Sequence, residues 1–106
     1  MSRSSFDFPK NTVTEVLRNS FGITFLAATT DQKLALIECC AFLMRQGSYS
    51  LREAITVITP EVVMPPPVRL CSLRMSPQEG LTLFALLYGA ISRDFASPAN
   101  SQFLEE

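Results

Sequence analysis

Residues 31–46, DQKLALIECCAFLMRQ, and residues 77–94, PQEGLTLFALLYGAISRD, decide the fold of this chain. Each stretch has helical length and carries apolar side chains around most of its circumference, so neither keeps an ordinary water-facing side. A helix of this kind must lie inside a protein or against a partner, and a chain of 106 residues has little interior. We therefore predict a small all-α domain that completes its burial by association.

Four helix starts are marked by Ser or Thr followed three residues later by Glu or Gln. At this capping-box spacing each side chain can bind a free backbone N–H of the first turn. The four pairs are Thr12 with Glu15, Thr29 with Gln32, Ser50 with Glu53, and Ser76 with Glu79. Pro77 strengthens the last start, whereas Gly22, Gly47 and Pro60 indicate where the first three helices end. The expected architecture is four helices around the central helix 31–46.

The connections leave some alternatives open. Three consecutive prolines at 65–67 predict an extended, polyproline-like crossing over about 64–74. Residues 23–28 could form a short strand or another helical turn, and residues 68–74 could pair with them as a second strand. Because an isolated two-stranded ribbon is marginally stable, an extended connector is favoured for 68–74. We expect one domain over 1–106, with a flexible arm at about 1–11 and a tail at about 96–106.

Composition argues against several function classes. The formal net charge is −1, and acidic and basic residues alternate, so the basic face that nucleic-acid binding requires is missing. The chain has no histidine, which removes the commonest general base and a common metal ligand, and its four glycines are scattered. We therefore predict no catalytic residues, no cofactor, no metal site and no enzyme activity. The apolar stretch 81–91 is too short to span a membrane, and residues 1–11 lack the apolar core of a signal peptide.

The three cysteines, Cys39, Cys40 and Cys71, predict a reduced protein and a cytoplasmic location. Their number is odd, and adjacent cysteines bridge each other only with strain. We expect Cys39 and Cys40 to be buried as small apolar side chains. The alternative is that one thiolate lies near an arginine at the surface and senses oxidants.

The last helix is the predicted partner-binding element. Small residues recur along one side of it and would let a neighbouring backbone approach closely, and an aromatic residue lies beside them. The predicted partner-binding residues are Thr82, Ala85, Tyr88, Gly89 and Ser92. The expected partner is another protein, a second copy of the chain, or both.

The preferred function is an intracellular protein–protein interaction module: a small adaptor, chaperone-like protein or inhibitory regulator that acts through an apolar helical surface. The alternative is a helix-turn-helix transcription regulator formed by residues 35–58, with 51–58 as the recognition helix. That helix offers only Arg52, Glu53 and Thr56 for reading DNA, and Glu53 is poorly suited to a site beside phosphates. A thiol-based redox sensor or enzyme is the weaker alternative.

Overall fold

The computed structural model describes residues 12–96, and every regular element in that range is a helix. The elements are α1 (Val13–Phe21), α2 (Thr30–Arg45), α3 (Leu51–Ile58), α4 (Pro66–Arg69) and α5 (Pro77–Phe95). The all-α prediction is confirmed: the four predicted helices form, and α4 adds a single turn between them. The predicted arm at 1–11 and the tail from residue 97 onward lie outside the described residues.

The four predicted starts are helix caps in the structure. At each start the side-chain oxygen of the capping residue accepts a bond from the backbone N–H three residues on; the capping residues are Thr12, Thr29, Ser50 and Ser76. The boxes at α2 and α3 are reciprocal. Glu79 differs from the prediction, because its Oε2 accepts from both the backbone N–H and the hydroxyl of Thr14, each at 2.9 Å. Glu79 thereby ties the start of α5 to the start of α1.

Helices α2 and α5 form an antiparallel pair. At one end Lys33 Nζ donates to Asp94 Oδ2 at 2.8 Å, and at the other the Cys40 thiol donates to the carbonyl oxygen of Gly80 at 3.1 Å. Gly80 packs tightly against the side chain of Met44, because a Cβ atom at this position would lie 2.5 Å from Cγ of Met44. A larger residue at this contact would force the Met44 side chain to move.

The hydrophobic core lies on one side of the α2–α5 pair and is closed by α1, α3 and α4. Leu43 of α2 is 1% exposed, as the sequence predicts for a core position, and Leu87 of α5 is fully buried. The shorter helices contribute one or more fully buried side chains each; these are Val13 and Leu17 of α1, Ala54 of α3 and Val68 of α4.

No strand forms within residues 12–96, so the possible pairing of 23–28 with 68–74 does not occur. Residues 23–28 make turns around Phe25, whose backbone is left-handed (φ 60°) and whose side chain is 1% exposed. The carbonyl groups of Cys71 and Leu73 accept instead from the first two N–H groups of α3, at 2.8 and 3.0 Å. These donors have no acceptor inside the helix, so residues 71–74 form a connector that caps the start of α3, whereas residues 68 and 69 of the predicted connector belong to α4.

The crossing at 64–74 is only partly extended. Pro65 is extended (ψ 149°), but Pro66 begins the single turn α4. Proline is well accommodated in the first turn of a helix, because its missing N–H would have no intrahelical acceptor there. The expectation of a polyproline-like conformation through residue 67 was therefore wrong.

Candidate functional site

Helix α5 exposes large apolar side chains on the side turned away from the core. Leu81, Tyr88 and Phe95 are 64%, 63% and 51% exposed, and Phe84 is 37% exposed. Their spacing of three, four and seven residues places them on one stripe of the helix. These four side chains therefore form an exposed apolar surface on α5.

The neighbouring helix α2 contributes to the same surface. Leu34 is 40% exposed, Ala41 is exposed, and Ile37 is half-buried. Leu34 and Ile37 follow Lys33, which contacts α5, by one and four positions. In α5, Leu81 and Phe84 follow the contact residue Gly80 by the same offsets.

Equal offsets from the contact residues place these side chains on the same side of the pair. Positions one and four after a contact residue are rotated from it by about 100° and 40° in the same sense. Antiparallel helices have the same hand but opposite directions, so positions at these offsets in both helices face the same way. We call this surface the α2–α5 face; it comprises Leu34, Ile37, Ala41, Leu81, Phe84, Tyr88 and Phe95.

The five predicted partner-binding residues are only partly brought together. Tyr88 lies within the α2–α5 face, and the exposed residues Ala85 and Ser92 border it. Thr82 and Gly89 lie further around α5, and Thr82 lines a groove shared with α1. Among residues 12–96, and apart from α5's own backbone, no atom would lie within 4 Å of a Cβ at Gly89, so no other described segment approaches it there.

Sequence reasoning missed Leu34, Ile37 and Ala41 as members of an exposed surface. The signal was the seven-residue spacing of Leu34 and Ala41, beside a polar stripe of α2 that consists of Asp31, Glu38 and Arg45. This spacing alone does not show that the two residues join a surface of α5. That depends on which side of α2 packs against α5, and this side is set by the contacts of Lys33 and Cys40.

A second candidate is the groove between α1 and the start of α5, with a volume of about 350 Å³. Its lining includes Glu15, Arg18, Glu79 and Thr82, and Arg18 Nε is buried without a hydrogen-bond partner among the described residues. An anion bound to Arg18 would also meet the carboxylates of Glu15 and Glu79. The mixed charges that line the groove therefore favour no particular class of ligand.

The three cysteines are buried and free, which disfavours thiol chemistry. Desolvation by burial raises the pKa of Cys39 to about 11 and that of Cys40 to about 11, and it raises the pKa of Cys71 as well. The reactive thiolate is therefore scarce at neutral pH. Within residues 12–96, no group of three or more potential ligand side chains is arranged to hold a metal ion.

The exposed side of α3 is the surface that a helix-turn-helix protein would present to DNA. It carries Arg52, Glu53, Thr56 and Val57. The Thr56 hydroxyl donates to the Arg52 carbonyl at 2.9 Å, and Glu53 Oε1 accepts from the N–H of Ser50 at 2.8 Å. This N–H bond lowers the pKa of Glu53 and keeps it negatively charged. Such a surface offers little for base or phosphate contacts.

Lys33 and Asp94 form a partly buried ion pair that sequence reasoning did not predict. Lys33 is 4% exposed, and its ammonium group contacts both oxygens of Asp94. The Thr30 hydroxyl donates to Asp94 Oδ2 at 2.7 Å. Hydrogen bonds from Lys33 and then Thr30 lower the pKa of Asp94. With both groups bonded to each other, the pair joins the ends of two helices.

Comparison of the chain with protein families, with characterised proteins and with solved structures gave no significant match. None of the helices in residues 12–96 has both the length and the apolar character needed to cross a membrane.

Proposed function

We propose that the chain is a cytoplasmic protein–protein interaction module, a small adaptor, chaperone-like protein or inhibitory regulator that binds a protein through the α2–α5 face. One observation carries the proposal: four large apolar side chains of α5 form a continuous exposed stripe beside apolar residues of α2. Contiguous exposed apolar surface on a soluble chain is typical of an interaction site. The reduced, buried cysteines fit the proposed location.

The dimensions of the face support this proposal. Helix α5 has 19 residues and is therefore about 28 Å long. Two packed helices present a width of about 20 Å, so the face covers about 560 Å² before its rim is included. A specific interface buries about 800 Å² on each partner, which the face approaches once its rim is added.

The residue types in the face also favour protein recognition. Tyr88 contributes a large ring with a polar hydroxyl group, and Phe84 and Phe95 contribute further aromatic surface. Aromatic residues are enriched at protein interfaces, where Tyr in particular often contributes much of the binding energy. The face itself contains no charged side chain that a partner would have to desolvate.

Affinity capture with matched variants tests the proposal. Leu81→Arg and Tyr88→Arg place a charge in the face, whereas Leu70→Arg and Val63→Arg place the same charge at exposed apolar positions elsewhere. We expect at least one protein captured by the native chain to fall by about tenfold or more with the two face variants. The two control variants should retain it.

The tagged chain should be captured from an extract of the cells that produce it, and an untagged copy of the chain itself should be counted separately. Circular dichroism of each variant verifies that the helices remain. If the face and control variants capture the same proteins in the same amounts, the α2–α5 face is not the binding surface.

A further inference from the structure

We infer that the α2–α5 face binds a second copy of this chain, in a symmetric dimer whose two-fold axis crosses the middles of α2 and α5. The inference rests on the proposed function, since it requires that the face bind protein. It goes further by naming the occupant and its orientation. A two-fold dimer presents the same surface from both copies, so the face must be complementary to itself.

The apolar residues of α5 meet this requirement. Leu81, Tyr88 and Phe95 are spaced by seven, so a two-fold axis at Tyr88 places Leu81 of one copy opposite Phe95 of the other. The two Tyr88 rings then meet at the axis. Large apolar side chains therefore oppose one another at three positions along the helix, 81, 88 and 95, whereas Phe84 lies level with the exposed Ser92 of the other copy.

The same axis also serves α2. A two-fold axis between residues 37 and 38 places Leu34 opposite Ala41 of the second copy. Lys33 lies beside Asp94, and Met44 lies beside Gly80, so the middle of α2, near 38–39, is level with residue 87 of α5. Measured along the helices, the symmetry centre of α2 at 37–38 and that of α5 at Tyr88 thus lie within about 1.5 Å of the same level. One two-fold axis can therefore pass through both.

The charges beside the face select this axis over the other possible one. Asp31, Glu38 and Arg45 are exposed and spaced by seven along the outer edge of α2. With the crossing axis, α2 packs antiparallel to α2 of the second copy, and Asp31 opposes Arg45 in two equivalent pairs. Only Glu38 opposes its own copy.

A two-fold axis parallel to the helices would instead place α5 of the second copy opposite α2. The matching edge of α5 carries Ala85 and Ser92, which have no charge. Asp31 and Arg45 would then lack partners in the dimer. Charge complementarity therefore favours the crossing axis.

The area predicts a dimer of moderate strength. Two apposed faces of about 560 Å² bury about 1,100 Å² in total, which is near the lower limit for a specific interface. We therefore expect a dissociation constant in the micromolar range rather than an obligate dimer.

Analytical ultracentrifugation of the full chain, from about 1 to 200 µM, measures this constant. Arg45→Glu should raise it by about three- to tenfold, because two attractive pairs become repulsive. The double variant Asp31→Arg with Arg45→Glu restores opposite charges and should return the constant to within about threefold of the native value. Arg69→Glu, at an exposed position of α4, is the matched control and should leave the constant unchanged.

Glu38→Gln should lower the dissociation constant, by about two- to threefold, because it removes the repulsion at the axis. Leu81→Arg should raise it at least tenfold. All these positions are exposed, and circular dichroism verifies that each variant is folded. Where Asp31→Arg perturbs the start of α2, Glu38→Gln provides an independent measure of the same arrangement.

The outcomes separate this inference from the proposed function. A native chain that stays monomeric to 200 µM overturns the dimer, whereas face-dependent capture of another protein would still support the interaction module. A dimer that is sensitive to Leu81→Arg but not restored by the charge exchange overturns the crossing axis. If neither Leu81→Arg nor Arg45→Glu changes the dissociation constant, the dimer uses another surface and the inference is overturned. The α2–α5 face then remains part of the proposed function only if capture of another protein depends on it.

Discussion

Gly80 marks the close approach of α5 to α2, and a methyl group at this position tests that contact directly. A Cβ there would lie 2.5 Å from Cγ and 2.9 Å from Sδ of Met44. At Gly89, nine residues further along α5, a Cβ would meet no other segment of residues 12–96 within 4 Å. Gly80→Ala and Gly89→Ala therefore add the same atom to the same helix, in the first case with a collision and in the second without one.

The two substitutions should have opposite effects on stability. Replacing Gly by Ala inside a helix stabilises the folded chain by about 0.5–1 kcal/mol, and Gly89→Ala should show this gain. At Gly80 the gain is opposed by overpacking, which costs about 1–3 kcal/mol in a packed interior. Because Met44 is flexible and half-buried, we expect a net loss of about 1 kcal/mol. The variants should thus differ by about 2 kcal/mol.

Urea unfolding at a low, fixed protein concentration measures this difference. With a slope of about 1.5 kcal/mol per M, the two midpoints should be separated by about 1.3 M. A third variant, Met44→Ala, removes the colliding side chain, and in that background Gly80→Ala should no longer destabilise. Equal midpoints for Gly80→Ala and Gly89→Ala would show that α2 and α5 are not as close at Gly80 as the structure has them.

Further substitutions test the core, the ion pair and the thiols. In denaturant titrations Leu43→Ala should cost roughly 2–5 kcal/mol, because the side chain is 1% exposed, and Arg45→Ala under about 1 kcal/mol; equal losses would mean that α2 faces the other way. Asp94→Asn should lower the unfolding temperature at neutral pH by several degrees, because the Lys33 cation is left buried without its partner. The folded-state pKa of Asp94 is lowered from 3.8, so the native chain should lose this stabilisation only as pH falls below about 4, and the Asn variant should lose less stability there. The unfolding temperature of the native chain should be the same with and without a reductant, since the cysteines are free; a lower value in reductant would reveal a disulfide.

The helix starts could be predicted from the sequence because each depends on a bond between neighbours in the chain. Thr29 with Gln32 and Ser50 with Glu53 form the predicted boxes, and Gly22 ends α1 with a positive φ of 93°. These interactions span three or four residues, so a local pattern contains all the information that they require.

Interactions between distant residues could not be predicted in this way. Glu79 fits a local capping box, yet its carboxylate binds Thr14, 65 residues earlier in the chain. Lys33 is a buried cation only because Asp94, 61 residues away, neutralises it. A single sequence gives no sign of either contact, since each depends on how α5 packs against the other helices.

The candidate site shows the same division. The sequence predicts that Ala85, Tyr88 and Ser92 bind a partner, and the structure leaves all three exposed. It also predicts that the small residues around Gly89 let a neighbouring backbone approach closely. Among residues 12–96, the tight contact between α5 and α2 lies at Gly80. Glycines at both positions satisfy the same local pattern, and the difference arises from the side of α5 that meets Met44.

Packing also divides the apolar circumference of α5 into two parts with different consequences. Leu83 and Leu87 are buried and stabilise the fold by leaving water. Leu81 and Tyr88 remain more than 60% exposed, so folding of the single chain recovers little of the cost of hydrating them. A lysine at either position would satisfy the helix equally well and would make the surface more soluble. The fold of residues 12–96 gives no reason for apolar side chains there, and burial against another protein surface, as proposed above, would supply one.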